Sequence, residues 1–319
     1  MFEAKLVEAG FLKKLLDAAK ELVPDANFEC NSEGIILQAT DNSHGTLVSV
    51  LIRAKGFERF RCDRPMPLGV NLSSLSKVLE CAKDDDTCTL KALDDADTLN
   101  LIYEAKRSGH IAEYDMKLMD VGIETLTISD TEYDARITMA SSEFARLVRN
   151  LGTLGESVRI DVSKEGVRFT CDGETANANI LLKHSDEELP APKTRKIKKE
   201  DEEEEEEKEE KPDSDGEEEQ EEEDEEETGH KRKKKAKVSK KKKDESDDDS
   251  DFDDTPPVGV IIELSSHVSL TFSLKYLVNV AKSSNLCGKV QLLMSSYVPL
   301  LVSFDFKQGH IRYYIAPND

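Results

Sequence analysis

Ser32-Glu33-Gly34-Ile35-Ile36-Leu37-Gln38-Ala39-Thr40-Asp41 and Ser163-Lys164-Glu165-Gly166-Val167-Arg168-Phe169-Thr170-Cys171-Asp172 are the two stretches that decide the fold. Each opens on a polar turn ending in glycine and runs on as a strand-like segment to an aspartate. Gly34 and Gly166 lie 132 residues apart. Helical spacing gives a second ruler. Residues 10–22, 72–83, 141–152 and 272–282 repeat apolar side chains at the helical period, as in Phe11, Leu12, Leu15 and Leu16 or Phe144, Leu147, Val148 and Leu151. Ala82-Lys83 and Ala281-Lys282 end the second and fourth of these, 199 residues apart. The excess over 132 is 67 residues, close to the length of a charged segment lying between them. The pattern predicts two copies of one helix–sheet–helix–sheet unit, an α+β architecture, with a foreign segment inserted late in the second copy.

That segment, residues 186–255, holds 33 acidic and 17 basic residues, a net charge of −16 out of −23 for the 319-residue chain. It contains the acidic runs 202–207 and 217–223 and the basic block 231–243. Its like charges repel and almost no aliphatic residue is available to bury, so disorder is expected over residues 186–257. The rest of the chain has an ordinary charge balance and is long enough to bury a core.

The start, Met1-Phe2-Glu3-Ala4, lacks the basic and apolar regions of a secretory signal. No apolar run approaches the roughly 18 residues of a membrane span. The six cysteines and six histidines show neither metal-ligand nor disulfide spacing. Phosphate-loop, dinucleotide and nucleophile-elbow motifs are missing. The acidic clusters Asp84-Asp85-Asp86 and Asp94-Asp95-Ala96-Asp97 fit solvated turns better than cation sites. No enzyme, cofactor or metal is expected.

Charge is distributed unevenly over the elements. The four helical stretches carry nine basic residues against four acidic ones, while the rest of the chain outside the insert is acidic. Lys13, Lys14, Lys20, Lys77, Arg146, Arg149, Lys275 and Lys282 are candidates for one positive face that would meet a polyanion by its phosphates, without reading bases. Ordinary solvated helix faces are the alternative on charge counting alone.

Several separate motifs then point one way. Met1-Phe2-Glu3-Ala4-Lys5-Leu6-Val7, Phe60-Arg61-Cys62-Asp63-Arg64, Gly69-Val70-Asn71-Leu72, Tyr114-Asp115-Met116-Lys117-Leu118-Met119-Asp120, Ser141-Ser142-Glu143-Phe144-Ala145-Arg146 and Gly309-His310-Ile311-Arg312-Tyr313-Tyr314-Ile315-Ala316-Pro317 resemble the proliferating cell nuclear antigen family of eukaryotic sliding clamps. The resemblance covers residues 1–185 and 258–317 and omits only the insert. It implies a ring-shaped homotrimer with two pseudo-repeated clamp domains per chain, helices lining the hole and sheets outside. The implied divisions are 1–117, a connector at 118–134, and a second domain of 135–185 with 258–317. Glu80 stands where the family commonly has a basic residue.

The resemblance also implies sites. Duplex DNA would pass through the basic hole. Ring closure would use the edges 108–117 and 175–183, with Cys81, Ser108, Tyr114, Leu154, Asn177 and Ile180 at the interface. Short peptides from DNA polymerases, clamp loader, nuclease and ligase would dock under the connector against His44, Leu47, Leu126, Ile128, Tyr133, Pro299, Tyr314, Ile315, Ala316 and Pro317. Lys164 matches the lysine that carries ubiquitin-like modifiers. Nuclear localisation is expected, with Lys231–Lys243 resembling an import signal. The reading is a non-enzymatic processivity factor. The alternatives are a subunit of a heterotrimeric checkpoint clamp and an acidic histone-binding chaperone acting through the insert.

Overall fold

The computed structural model describes residues 1–94, 97–122, 131–185 and 252–318. Ile123, Leu126, Ile128 and most of the insert lie outside these residues. The first half contains β1 (Phe2–Leu6), α1 (Ala9–Ala19), β2 (Asp25–Asn31), β3 (Gly34–Thr40), β4 (Thr46–Arg53), β5 (Arg59–Cys62), β6 (Met66–Asn71), α2 (Leu72–Glu80), β7 (Thr87–Ala92), β8 (Thr98–Glu104) and β9 (Ile111–Lys117). The second half repeats this order as β10 (Ala135–Ala140), α3 (Ser141–Gly152), β11 (Ser157–Ser163), β12 (Gly166–Asp172), β13 (Asn177–Leu182), β14 (Ile261–Leu264), β15 (Val268–Ser273), α4 (Leu274–Val280), β16 (Lys289–Met294), β17 (Leu300–Phe306) and β18 (Gly309–Ile315).

The repeat extends to individual hydrogen bonds. The first N–H of a helix has no partner inside the helix. Here Ala9 donates to Asp86 O at 2.8 Å, and Ser141 to Gly288 O at 2.9 Å. Leu72 donates to Pro24 O and Leu274 to Glu156 O, both at 2.8 Å. The turn glycines are equivalent too. Gly34 and Gly166 have φ of +149° and +145°, and a Cβ on either would sit 2.1 Å from Ile52 O or 2.3 Å from Leu182 O. Only glycine fits both the backbone and the space.

Each helix buries one apolar face. Leu12, Leu15 and Leu16 of α1, Leu72, Leu75 and Leu79 of α2, Phe144, Val148 and Leu151 of α3, and Leu274, Leu277 and Val280 of α4 all join one core. Each fully buried side chain of this size contributes about 1.5–3 kcal/mol. The helices form one layer in the order α2–α1–α4–α3. One of them differs from the sequence expectation at both ends. α4 begins only at Leu274, because Phe272 pairs with Val158 in a ladder and belongs to β15. It ends at Val280, followed by a 3-10 turn over Ala281–Asn285.

Three sheets form the other layer. A nine-stranded sheet, β14-β10-β16-β17-β18-β4-β3-β2-β6, crosses from one half to the other. Its junction is the antiparallel pair β18–β4, with Tyr313 opposite Val48. A five-stranded sheet, β5-β1-β7-β8-β9, ends on β9, and a four-stranded sheet, β13-β12-β11-β15, ends on β13. Tyr313 is fully buried at the junction, where its hydroxyl lies 2.7 Å from Ser283 Oγ and donates to Ala18 O at 3.3 Å.

His310 lies on the same junction strand. Burial, reinforced by the Arg312 and Arg53 cations, lowers its pKa from 6.5 to about 4. Between these values the unfolded chain binds a proton that the folded chain does not, so stability is full above 6.5 and falls as pH drops toward 4. His310→Gln is therefore expected to flatten the loss of urea midpoint between pH 7 and pH 5. An unchanged slope would remove His310 as its source.

Candidate functional site

The helix layer carries the first candidate surface. Lys14, Lys77, Arg149 and Lys275 are exposed on it, and Lys77, Arg149 and Lys275 make no ion pair with another described residue. The other four basic candidates each lie beside an acidic side chain. Lys13 Nζ donates to Ala82 O at 2.6 Å and to Asp84 at 2.8 Å. Lys20 Nζ meets Asp17 at 2.7 Å and Ser76 Oγ at 3.1 Å, and the Asp17 bond raises its pKa. Lys282 lies 3.4 Å from Glu21, and Arg146 4.0 Å from Glu143. Half of the eight candidate cations therefore have an acidic neighbour on the same layer or beside it. Lys13, at 19% exposure, acts as a strut between α1 and the 82–84 turn. The Asp84–Asp86 turn is structural: Asp86 is buried and accepts from Lys83 N at 2.8 Å. Asp94 holds the N-terminal amine at 2.6 Å. Among the described residues no cluster of three or more metal-type ligands occurs, and no helix is long and apolar enough to cross a membrane.

The second candidate is two of the sheet edges, β9 and β13. On β9, Tyr114 is half-buried, with its ring 5.6 Å from that of Tyr103. Its pKa is raised, mainly by a hydrogen bond with the Cys81 thiol. Cys81 itself is exposed at the end of α2. On β13, Ala178, Ile180 and Leu182 pack partly on the core, while Asn177 points outward. Leu154 is also half-buried against the core. Ser108 falls outside the ladder, in the exposed turn before β9, because that strand starts at Ile111. Unpaired edges of this kind are templates for another chain.

The third is the segment between the halves. It leaves β9 with Met119 N donating to Gly69 O at 2.9 Å, and Asn27 Nδ2 donating to Val121 O at 2.8 Å. It returns at Thr131–Asp134 on the outer face of the nine-stranded sheet. Tyr133 and Tyr314 meet there, and burial raises the pKa of both phenols. Leu47 is half-buried nearby on β4, and Pro299 and Ala316 are exposed. His44 is exposed with a positive φ of 54°. Its loop is held by Asp41, which accepts from Thr46 N at 2.7 Å and from the hydroxyls of Ser43 and of Tyr276 on α4. Burial would raise the Asp41 pKa, but these bonds outweigh it and lower it. Pro317 is half-buried. Ile315 is a correction: strand alternation turns it away from Tyr314 into the core, where it is fully buried, so its side chain cannot line this site. Leu126 and Ile128 lie outside the described residues. Lys164 is exposed in the β11–β12 turn.

Sequence reading missed the end of the insert. Phe252–Asp254, expected within the disordered segment, lie on β16: Lys289 Nζ reaches Asp253 O at 2.9 Å and its carboxylate at 3.0 Å, and Gly288 N donates to Asp254 at 2.7 Å. Hydrogen bonds from Thr255, then Lys289, lower the Asp253 pKa to about 2. The partner Lys289 is 36 residues away and carries no motif that could have flagged it.

Residues 1–126 match the family model of the proliferating cell nuclear antigen N-terminal domain, and residues 127–202 and 237–318 that of its C-terminal domain. Over 320 aligned residues the chain is 40% identical to the proliferating cell nuclear antigen of Chaetomium thermophilum, covering 100% of this chain and 98% of that protein.

Proposed function

The chain belongs to the proliferating cell nuclear antigen family, non-catalytic DNA sliding clamps that hold replication and repair proteins on DNA, and from that premise we propose how its own residues serve the ring, the DNA and the partners. The clamp domains are residues 1–117 and residues 135–185 with 258–317, joined by the connector 118–134.

One observation carries the ring. The five- and four-stranded sheets that end on β9 and β13 match, strand for strand, the two parts joined at β18–β4 inside the chain. Adding β9 of one subunit to β13 of the next makes a second nine-stranded sheet and removes both edges. The repeat also supplies its register. Tyr313 becomes Tyr114 at the 199-residue offset. Val48, opposite Ala39, becomes Ala178, opposite Cys171, because Ala39 and Cys171 are 132 residues apart. Tyr114 therefore lies opposite Ala178 of the partner subunit. Light scattering should give three chain masses at micromolar concentration, and a concentration-independent monomer would refute the ring.

DNA is met chiefly by Lys77, Arg149 and Lys275 with Lys14, a set of cations without base readout. Glu80, exposed on the same layer, weakens the field beside Lys77. Partner peptides dock under the connector, with Leu126 and Ile128 as apolar anchors and Tyr133, Tyr314, Leu47 and Pro299 shaping the pocket. The repeat-equivalents of Leu47 and Tyr314 are Asn177 and Asp115, which accounts for one such pocket per subunit rather than two. Lys164 is the modification site. The protein works in the nucleus, imported through Lys231–Lys243. A fluorescent fusion with residues 231–235 neutralised should lose nuclear accumulation, and unchanged accumulation would remove that role.

A further inference from the structure

The outer face of the nine-stranded sheet carries a trough that the docking pocket touches only at its tyrosine end. Register aligns Gln38, Ser49, Arg312, Ser303 and Gln291 in one polar row across five strands. Over Ser49, Arg312, Ser303 and Gln291 of this row lies a cavity of about 740 Å³, walled by Thr131–Asp134 and by Tyr314. A second cavity of about 310 Å³ shares Arg136, Glu263, Gln291, Ser303 and Asp305 with it and ends at Phe252–Asp254. The two make one groove, from the tyrosines of the docking pocket to the foot of the insert.

Its charge is one-sided. Glu132, Asp134, Asp253, Asp254, Glu263 and Asp305 face only Arg136, Arg312 and Lys289, a net charge of −3. The cations are already engaged: Arg136 lies 3.9 Å from Glu263, Lys289 holds Asp253, and Arg312 bonds the Tyr314 hydroxyl. Glu132 and Asp305 make no ion pair with a described residue. Arg312 Nε is enclosed with no hydrogen-bond acceptor among the described residues. An acidic partner would be repelled, and an apolar one would desolvate unpaired carboxylates.

The geometry points to a second docking site on this face, which receives an extended lysine- or arginine-bearing segment of a partner continuing from the peptide held under the connector. This rests on the connector reading and extends it. Asp305, Glu132 and Glu263 pair the cations, and the shared tyrosine wall joins the two sites.

The test is fluorescence anisotropy on the full-length trimer at about 50 mM salt, where screening is weak. The probes are an aromatic-bearing core peptide, the same core with four basic residues added at either end, and a version with four glutamates. One basic extension should tighten binding about tenfold, the glutamates should not, and Asp305→Asn with Glu263→Gln should abolish the gain while leaving core affinity unchanged. No gain from either basic extension, or a gain that survives those substitutions, overturns the trough. The connector reading is judged separately by the core peptide alone, which should bind wild type and lose affinity with Leu126→Ala and Ile128→Ala. If it fails to bind wild type, both readings fall together.

Discussion

Tyr114→Ala is expected to turn the trimer into monomers at micromolar concentration and to abolish processive, clamp-dependent synthesis. The size of the effect follows from the repeat. Tyr313, the equivalent side chain, is fully buried at the junction inside the chain, whereas Tyr114 is half-buried at an open edge. In the ring it takes up the same buried position, and truncating a buried aromatic side chain costs about 3–5 kcal/mol. Even the lower figure weakens each interface roughly a hundredfold, and a closed ring has three. Light scattering against concentration measures this directly. A variant still trimeric at nanomolar concentration would show that Tyr114 is not at the interface, and the register deduced from Tyr313–Val48 would be wrong. Circular dichroism should be unchanged, since β9 keeps its ladder with β8 from Thr98–Lys117 to Glu104–Ile111.

The second large effect is expected from Lys77, Arg149 and Lys275 replaced together by alanine. These three are exposed and free of ion pairs with described residues, so their removal leaves no buried partner unsatisfied, and the trimer should keep its mass and urea midpoint. Clamp-dependent synthesis should fall, and the slope of log affinity against log salt should drop by about 0.9 for each phosphate that is no longer neutralised. Glu80→Lys should act in the opposite direction. Replacing Lys13 instead should lower stability, since it breaks the bonds to Ala82 O and Asp84. Unchanged DNA binding and synthesis in the triple variant would refute the basic-hole assignment.

The repeat was legible because it rests on contiguous residues. The glycine turns at Gly34 and Gly166 and the apolar stripe of α3 are set by backbone geometry within ten or twelve neighbours, and the structure places them where the spacing predicted. Phe272 was misassigned for the converse reason. Its apolar neighbours fit a helix, but pairing with Val158, far away in sequence, keeps it in a strand. Ile315 beside Tyr314 shows how a family pattern can name a pair of residues without saying which faces a partner, because alternation sends neighbours to opposite faces of a sheet.

The sequence by itself determined the two-fold repeat, the basic excess of the helices, the place where the insert interrupts the second copy and the family to which the chain belongs. All of these follow from composition, short-range periodicity and contiguous motifs. The tertiary structure decided the rest. It selected which cations have no ion pair with a described residue once Asp17, Glu21 and Asp84 have taken their partners. It joined β18 to β4 across more than 250 residues of chain, left β9 and β13 open, and brought Phe252–Asp254 onto β16 beside the outer trough. Ion pairing, sheet edges and grooves are made by residues distant in sequence, so local pattern carries no record of them and only packing of the whole chain brings them together.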